Sequence, residues 1–372
     1  MDAGWSGLDD MSHGAGSVDD NATVARKQLF GPARIDIDDS LTSRDAKRLA
    51  KDPALRVIQT VAPLRSETWT ISDECIFASR PDVQLRVYGH YRSECDLSTT
   101  RYVPHVRDFA ADSLRSAINV EALADLTRLD ALSLGIYELD SFEVLTHLPP
   151  TLHSLTLGQT RSKKPDLAPL ARFTSLQTIY IEGHTKNIGV LSGLTALEDV
   201  TLRSTTTPNL DFLVPLTQMW SLDIKLGGTT SLDAISGMPG IKYLELWQIR
   251  GLADVGVISD LPGLQNLFLQ SLPQVTTIPA LERLHHLRRV VLENMKGLRD
   301  LAALETAPAL EDFAYIDARG KEPAQLLPAL RNPALRRVSA GFGSDKKNEE
   351  FGRLRDEHGK TSFNAHDNFE YR

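Results

Sequence analysis

An apolar phrase that returns about every 23 residues is the feature that most constrains the fold of this chain. It reads apolar-x-x-apolar-x-apolar, as in residues 176–181 and 264–269. Successive copies begin 21 to 25 residues apart, at Val106, Leu129, Leu152, Leu176, Leu197, Met219, Ile241, Leu264, Leu287, Leu310 and Leu335. A period in this range is typical of stacked supersecondary units that bury their apolar faces against their neighbours. The chain is therefore predicted to form a solenoid with one continuous apolar core.

Each repeat divides into two parts with different periodicity. The last two apolar positions of the phrase flank a single residue, which is the alternation of a short β-strand. The second part carries apolar residues three apart, as in Ile188, Leu191 and Leu194, and this spacing favours short 3₁₀ or helical turns. Prolines such as Pro215 and Pro262 interrupt longer helices. We therefore predict an α/β solenoid whose parallel strands stack about 4.8 Å apart.

The phrase resembles that of the leucine-rich-repeat family over residues 104–341, and it is most similar to the short repeats of bacterial internalin-like proteins. Weaker strand phrases at Leu55–Thr60 and at residues 82–87 extend the resemblance toward the N-terminus. The resemblance implies a horseshoe or arc with a parallel sheet on its concave face, short helical or 3₁₀ turns on its convex face, and capped ends. The family's turn Asn or Cys is absent, and apolar residues from Ile249 to Met295 stand there instead. We expect packing to hold those turns.

The N-terminal part of the chain is predicted to contain a tail and a cap. Residues 1–32 are rich in Gly, Ser and Asp and lack apolar periodicity, which predicts a disordered tail. Residues 33–103 are predicted to be a cap with degenerate repeats, because the first unit of a solenoid would otherwise expose an apolar end. Ser43 is predicted to cap a helix that runs to Ala50, and Ser72 to cap a second helix over residues 73–78.

Residues 342–372 are predicted to cap the other end. Residues 348–358 have the pattern of an amphipathic helix, which Gly359 would end. A last strand through Phe363 and Phe369 is predicted to close the edge of the sheet, because exposed edges invite aggregation.

Composition narrows the classes of partner and compartment. The net charge of −8, from 41 basic and 49 acidic residues, argues against nucleic acid as the partner. Two cysteines, Cys75 and Cys95, do not supply the disulfide-rich caps of secreted relatives, although one disulfide between them stays open. The first residues lack a basic segment followed by an apolar run, and no stretch of about 18 apolar residues occurs. We expect a cytoplasmic, monomeric protein with reduced thiols and no membrane partner.

The sequence shows no convincing catalytic, metal or cofactor motif. Residues 341–346 are glycine-rich but lack the spacing of a phosphate-binding loop. His285 and His286 are adjacent, so they do not face one ligand, and no Cys or carboxylate cluster accompanies them. We therefore expect a protein that is not an enzyme and that needs no cofactor.

Residues of the phrase that point away from the core form two stripes on the concave face of the sheet. Both stripes are small at their ends and large, aromatic or charged in the middle. Exposed Trp, Tyr and Arg are the residue types that dominate interface energetics. The predicted partner-binding residues, here named the central patch, are Tyr180, Glu182, Arg203, Asp223, Lys225, Tyr243, Glu245, Trp247, Phe268 and Gln270. The hypothesis is a recognition module for a protein partner, either an adaptor or an immunity-type protein that neutralises a toxin.

Three alternatives stay open at this point. The central patch would also form if Glu182–Arg203 and Lys225–Glu245 were only cross-strand ion pairs that satisfy one another. Asp223 and Glu245 resemble the paired carboxylates of an enzyme, although the flanking Lys225 and Arg203 favour ion pairing. A regulatory subunit of an enzyme such as a phosphatase or GTPase, or a purely structural scaffold, would have the same repeats.

Overall fold

Parallel strands stacked in chain order form the main sheet of this computed structural model, which describes residues 33–89, 94–113, 115–162 and 165–372. The tail predicted for residues 1–32 lies outside the described residues. The strands of the main sheet are β1 (Ala33–Asp36), β2 (Leu55–Thr60), β3 (Gln84–Gly89), β5 (Asp108–Ser113), β7 (Ala131–Ile136), β8 (Ser154–Leu157), β9 (Thr178–Glu182), β10 (Asp199–Arg203), β11 (Ser221–Lys225), β12 (Tyr243–Trp247), β13 (Asn266–Gln270), β14 (Arg289–Glu293), β15 (Asp312–Ile316) and β16 (Arg337–Ala340). In the described residues this sheet has 14 strands, while β4 (Cys95–Asp96) and β6 (Ala117–Ile118) pair separately.

The strand register confirms the repeat phrase. Leu267 pairs with Leu244 on one side and with Val290 on the other, and all three side chains are fully buried. The same alternation recurs along the sheet, so the second and fourth residues of most strands line the core. The weak phrases near the N-terminus also form strands of this sheet, β2 and β3. The fold is therefore the predicted α/β solenoid.

Short turns on the other side of the core return the chain from one strand to the next. Most are 3₁₀ helices, at Leu97–Tyr102, Val120–Asp125, Glu143–His147, Ala168–Arg172, Ile188–Gly193, Asp211–Leu213, Asp233–Ile235, Gly256–Asp260, Ala302–Leu304 and Pro323–Leu326. Residues spaced by three face inward, and Leu191 and Leu194 are both buried. At the position where the family has Asn or Cys, Ile249, Leu272 and Met295 are buried as well. Packing holds these turns, as expected.

The first cap helix, α1 (Ser43–Ala50), ends where the sequence predicts, but Ser43 is not its N-cap. Thr42 has the extended backbone that an N-cap needs, and its hydroxyl accepts a hydrogen bond from the Asp45 amide at 3.2 Å. Ser43 is already the first helical residue, so the predicted cap is wrong by one position.

The second cap helix starts earlier than predicted. The helix α2 (Ser66–Ser72) continues into one π-helical turn at Asp73–Phe77. Ser72 therefore lies inside a continuous helical segment, and its hydroxyl donates to the carbonyl oxygen of Thr68 at 2.9 Å. The prediction that Ser72 is an N-cap is wrong, because this serine bonds back into the preceding turn instead.

Two helices lie toward the other end of the solenoid, α3 (Leu327–Arg331) before the predicted cap and α4 (Asp345–Glu357) within it. The helix predicted for residues 348–358 is present and begins three residues earlier, at Asp345. Its apolar side packs on the core, with Phe351 buried and Leu354 partly buried. Gly359 follows with a φ of 66°, the left-handed conformation that commonly ends helices.

The predicted closing strand through Phe363 and Phe369 is wrong. Pairing with β16 amounts to one isolated parallel bridge between Arg337 and Thr361. Beyond that bridge the chain leaves the edge and crosses the face of the sheet. Phe363 and Phe369 contact arginine side chains there instead of extending the ladder.

Cys75 and Cys95 are free thiols. Cys95 is buried, and its burial, with a smaller contribution from the charge of Asp96, raises the pKa of the thiol to about 11. Within the described ranges, no helix is long and apolar enough to cross a membrane, and no three His, Cys, Asp or Glu side chains group as metal ligands would.

Candidate functional site

The candidate site lies on the open face, defined here as the side of the main sheet that faces away from the apolar core. In β12, Leu244 and Leu246 are buried in the core, while Tyr243, Glu245 and Trp247 alternate with them and are half-buried on the open face. The same alternation in β9–β13 brings the ten residues of the central patch onto five adjacent strands.

One end of the central patch is organised around Arg203. Its Nε donates to Glu182 Oε1 at 3.0 Å, across the register that places the two residues opposite each other. Tyr180 supplies a second hydrogen bond to Glu182, from its hydroxyl to Oε2 at 3.2 Å. The Arg203 guanidinium carbon also lies 5.7 Å from the centre of the Trp247 ring, within the range of a cation–π contact.

The middle of the central patch is organised around two carboxylates on neighbouring strands. Asp223 and Glu245 lie opposite each other in the register. Lys225 Nζ lies 3.1 Å from Glu245 Oε2, and the Tyr243 hydroxyl donates to the same oxygen at 2.8 Å. The Thr201 hydroxyl donates to Asp223 Oδ2 at 3.1 Å. Both predicted ion pairs are thus present, which places the charges of the patch in a fixed arrangement.

Burial perturbs the acid–base chemistry of this cluster. Desolvation first, and the neighbouring charge of Asp223 second, raise the pKa of Glu245 to about 7, although Lys225 opposes the shift. Burial likewise raises the pKa of the Tyr180 and Tyr243 hydroxyls above their ordinary value. Desolvation and the charge of Asp223 both favour the neutral form of the Glu245 carboxyl more than water does.

The far end of the central patch is less charged. Phe268 lies between Glu245 and Val291 in the register and is half-buried on the open face. The Gln270 side-chain amide donates to Glu293 Oε1 at 3.0 Å. This end presents apolar and neutral polar surface next to the indole of Trp247.

Residues 362–372, here named the returning segment, also lie on the open face, which the repeat pattern does not predict. After the Thr361 bridge, Ser339 Oγ donates to the carbonyl oxygen of Phe363 at 2.6 Å and accepts from its amide at 3.0 Å. The segment then crosses the strands from β16 toward β11. On β13 and β14 it contacts the first residue of the strand and the residue before it.

Three arginines hold the first part of the returning segment. The Phe363 ring lies 5.4 Å from the guanidinium of Arg289 and 5.1 Å from that of Arg337. The Phe369 ring lies 4.6 Å from Arg288 and 5.0 Å from Arg289. Phe369 is buried as a result, although it belongs to no strand and lies outside the main core.

The last part of the returning segment reaches the edge of the central patch. The Tyr371 ring contacts Trp220 edge-on at 5.3 Å and Tyr243 at 6.4 Å. Asn266 donates a hydrogen bond to the Tyr371 hydroxyl at 3.3 Å. Tyr243 therefore belongs both to the patch and to the surface that the segment covers.

One sequence signal points toward this arrangement. Phe363, Phe369 and Tyr371 are three aromatic residues in a polar stretch without a repeat phrase, and the adjacent Arg288 and Arg289 stand just before and at the start of β14. Aromatic rings outside a periodic pattern need a surface to cover them, and guanidinium groups supply one.

Comparison with solved structures agrees with the architecture. The chain is similar to an internalin from Listeria monocytogenes, at 17% identity and a TM-score of 0.54, with 82% of this chain and 90% of that chain covered. It is also similar to a leucine-rich-repeat protein of Leptospira interrogans, at 13% identity and a TM-score of 0.46, with 89% and 95% covered. No protein-family model and no curated protein matches the sequence. The repeat phrase, the stacked parallel sheet and the likeness to the Listeria internalin together show a leucine-rich-repeat solenoid fold.

Proposed function

We propose that the protein is a non-catalytic recognition module that binds a protein partner through the central patch. The observation that carries the proposal is the position of Trp247, half-buried on the open face and flanked by the Arg203 guanidinium at 5.7 Å. Trp and Arg anchors of this kind contribute most of the binding energy in protein interfaces. The leucine-rich-repeat fold is consistent with such a role.

The ion pairs of the patch support recognition. Glu182–Arg203 and Lys225–Glu245 hold their side chains in one geometry before a partner arrives. A partner therefore does not have to order these long side chains, which lowers the entropic cost of binding. Their fixed charges also select partners of complementary charge pattern.

Within this class, we propose a monomeric cytoplasmic adaptor or immunity-type protein whose partner is an acidic or polar protein surface. Arg203 and Lys225 would read its polar groups, and Trp247 would be the apolar anchor. The net charge of −8 favours a protein over nucleic acid as the ligand.

The test is capture of the partner from the native organism by affinity pull-down with mass spectrometry, followed by calorimetric titration of variants. Trp247→Ala is expected to weaken binding by about 30-fold or more, because a buried aromatic anchor contributes about 2 kcal/mol or more. Its melting temperature should change little, because the indole lies outside the core.

Tyr137→Ala is the matched control. Tyr137 is also an aromatic side chain, it is exposed, and it lies just beyond β7 rather than on the central patch. Its removal should leave the affinity unchanged. If Trp247→Ala binds like the wild type while Tyr137→Ala does not, the partner uses the turns and not the patch.

A further inference from the structure

The returning segment lies on the open face in the way that a bound peptide does. Beyond Thr361 it makes no strand ladder with the described strands of the sheet, and side chains of the sheet bond to its backbone instead. Arg289 Nη1 donates to the carbonyl oxygen of Asp367 at 2.7 Å, and Arg288 donates to that of Glu370. Contacts to carbonyl oxygens do not depend on which side chains the bound segment carries.

A further backbone contact, made by Gln265, is two-sided. The Gln265 amide nitrogen donates to the carbonyl oxygen of Arg372 at 2.6 Å, and its Oε1 accepts from the Arg372 amide at 2.8 Å. One side chain thus satisfies both polar groups of a residue in an extended segment, as a neighbouring strand would. This contact would form equally with another peptide in the same place.

Aromatic side chains supply the selectivity. Phe369 is enclosed by the guanidinium groups of Arg288 and Arg289, and Tyr371 by the rings of Trp220 and Tyr243. The two aromatic residues are two positions apart, so in an extended segment both rings point to the same side. The surface therefore fits the pattern aromatic-x-aromatic.

The arginines also have carboxylate partners within the sheet. Arg289 pairs with Asp312 at 2.9 Å, and Asp312 also binds Arg337 at 2.7 Å. Arg288 lies 3.9 Å from Glu311 and 3.4 Å from the Gln265 side chain. The carboxylate partners of these arginines belong to the sheet and not to the segment, so displacing the segment does not by itself remove them, which limits the cost of uncovering the surface.

We propose that the surface formed by Trp220, Tyr243, Gln265, Arg288 and Arg289 is a docking groove for an extended segment of a partner protein that carries two aromatic residues two positions apart. The returning segment occupies this groove in cis until the partner displaces it. The proposal rests on the proposed function in one respect, that the open face binds a protein. The groove adjoins the central patch at Tyr243, so one partner can contact both.

A cis occupant lowers the apparent affinity for a partner, because only the fraction of molecules with an open groove can bind. Its effective concentration is set by the short connection from α4, which favours occupancy by the chain's own segment. Weakening the cis contacts should therefore strengthen binding in trans.

The experiment uses a fluorescent synthetic peptide with the sequence of residues 360–372 and measures its anisotropy with full-length protein. The variant carries both Phe369→Ala and Tyr371→Ala, and it should bind the peptide at least about tenfold more tightly than the wild type does. A peptide with alanine at both aromatic positions should not bind the variant. Asn368→Ala, an exposed neighbour of Phe369, is the matched control and should behave like the wild type.

Equal affinity of wild type and double variant for the peptide would overturn the proposal. If the double variant melts well below the wild type, the single variant Tyr371→Ala takes its place. Its affinity for the peptide should be about threefold higher than that of the wild type. An unchanged affinity would overturn the proposal. A concentration-dependent dimer of the wild type that the substitutions abolish would assign the groove to a second copy and would also overturn it.

This experiment does not use the native partner. An unchanged affinity of Trp247→Ala for that partner would therefore contradict the proposal for the central patch, and the proposal for the groove would stand. Failure of the peptide to bind would contradict the proposal for the groove, and the proposal for the central patch would stand.

Discussion

The open face carries buried or half-buried ion pairs in two regions, and the regions differ in what covers them. On β9–β12 the Arg203 side chain is 19% exposed and Glu182 is 21% exposed, so solvent reaches their pair. On β14 and β15 Arg289 is 2% exposed and Asp312 is 4% exposed, beneath the returning segment. The strands and their alternation are the same in both regions. The returning segment covers the pair of Arg289 and Asp312, whereas Asp223 on the uncovered strands is 3% exposed without that cover. The covering segment therefore accounts for the difference between these two pairs, and not for every buried charge on the open face.

The difference in exposure also changes how much each ion pair contributes to the stability of the fold. A pair that water reaches contributes little, because screening and side-chain entropy offset the attraction. A pair that is cut off from water costs much more to break, because its remaining charge stays buried without a partner. The uncovered region is therefore suited to exchange contacts with a partner, and the covered region to hold the returning segment.

The largest expected effect lies beneath both regions, at Leu267 in β13. Leu267→Ala should lower the free energy of unfolding by about 2–5 kcal/mol, because it removes a fully buried side chain and leaves a cavity. Denaturant melts measure the loss. Phe268→Ala, one residue along and on the open face, should cost less than half as much. A loss below about 0.5 kcal/mol for Leu267→Ala would contradict the register.

The comparison of the two regions is tested directly with Arg289→Ala and Arg203→Ala. Arg289→Ala should cost about 2 kcal/mol, because Asp312 loses one of its two arginine partners in a buried site, while keeping Arg337, and the rings of the returning segment lose their guanidinium contact. Arg203→Ala, which breaks the solvent-reached pair, should cost about 1 kcal/mol or less.

Both values come from chemical denaturation at the same pH and ionic strength. Equal costs for the two substitutions would show that the returning segment does not exclude water from Arg289.

The smallest expected effect is a pH dependence in the uncovered region, at Glu245. The pKa of this carboxyl is raised from 4.5 to about 7, so the unfolded chain releases the proton at lower pH than the folded protein does. The folded state therefore loses stability relative to the unfolded state as the pH rises from about 4.5 to about 7. Glu245→Gln removes this contribution. Between pH 5 and 7.5 the free energy of unfolding of the wild type should fall by about 1–3 kcal/mol more than that of the variant.

Urea melts across this pH range measure the difference. Gln248→Ala, an exposed neutral side chain just beyond β12, should follow the wild type at every pH. If the wild type and Glu245→Gln have the same pH slope, Lys225 keeps Glu245 ionised in the folded protein.

Local patterns predict the elements whose formation depends on neighbours in the sequence. The repeat phrase predicts the strands and the burial of Leu267, because a period of two assigns each residue to one face. The same period predicts that Glu182 lies beside Arg203, and the register of β9 and β10 confirms it. The local pattern fails for Ser72, because whether a serine caps a helix or lies inside one depends on where the helix starts, and α2 starts at Ser66.

The sequence by itself determined the solenoid, its register and the residues that face away from the core, because each follows from a short-range period. Only the tertiary structure decided the position of the returning segment. Its contacts join residues far apart in the chain, such as Gln265 and Arg372, which are separated by 107 positions. Residues 362–372 have no repeat of their own, and their aromatic residues indicate only that the segment needs a surface to cover it, not which surface that is. Contacts between guanidinium groups and aromatic rings determine the position of the segment, and these side chains come together only when the repeats have stacked.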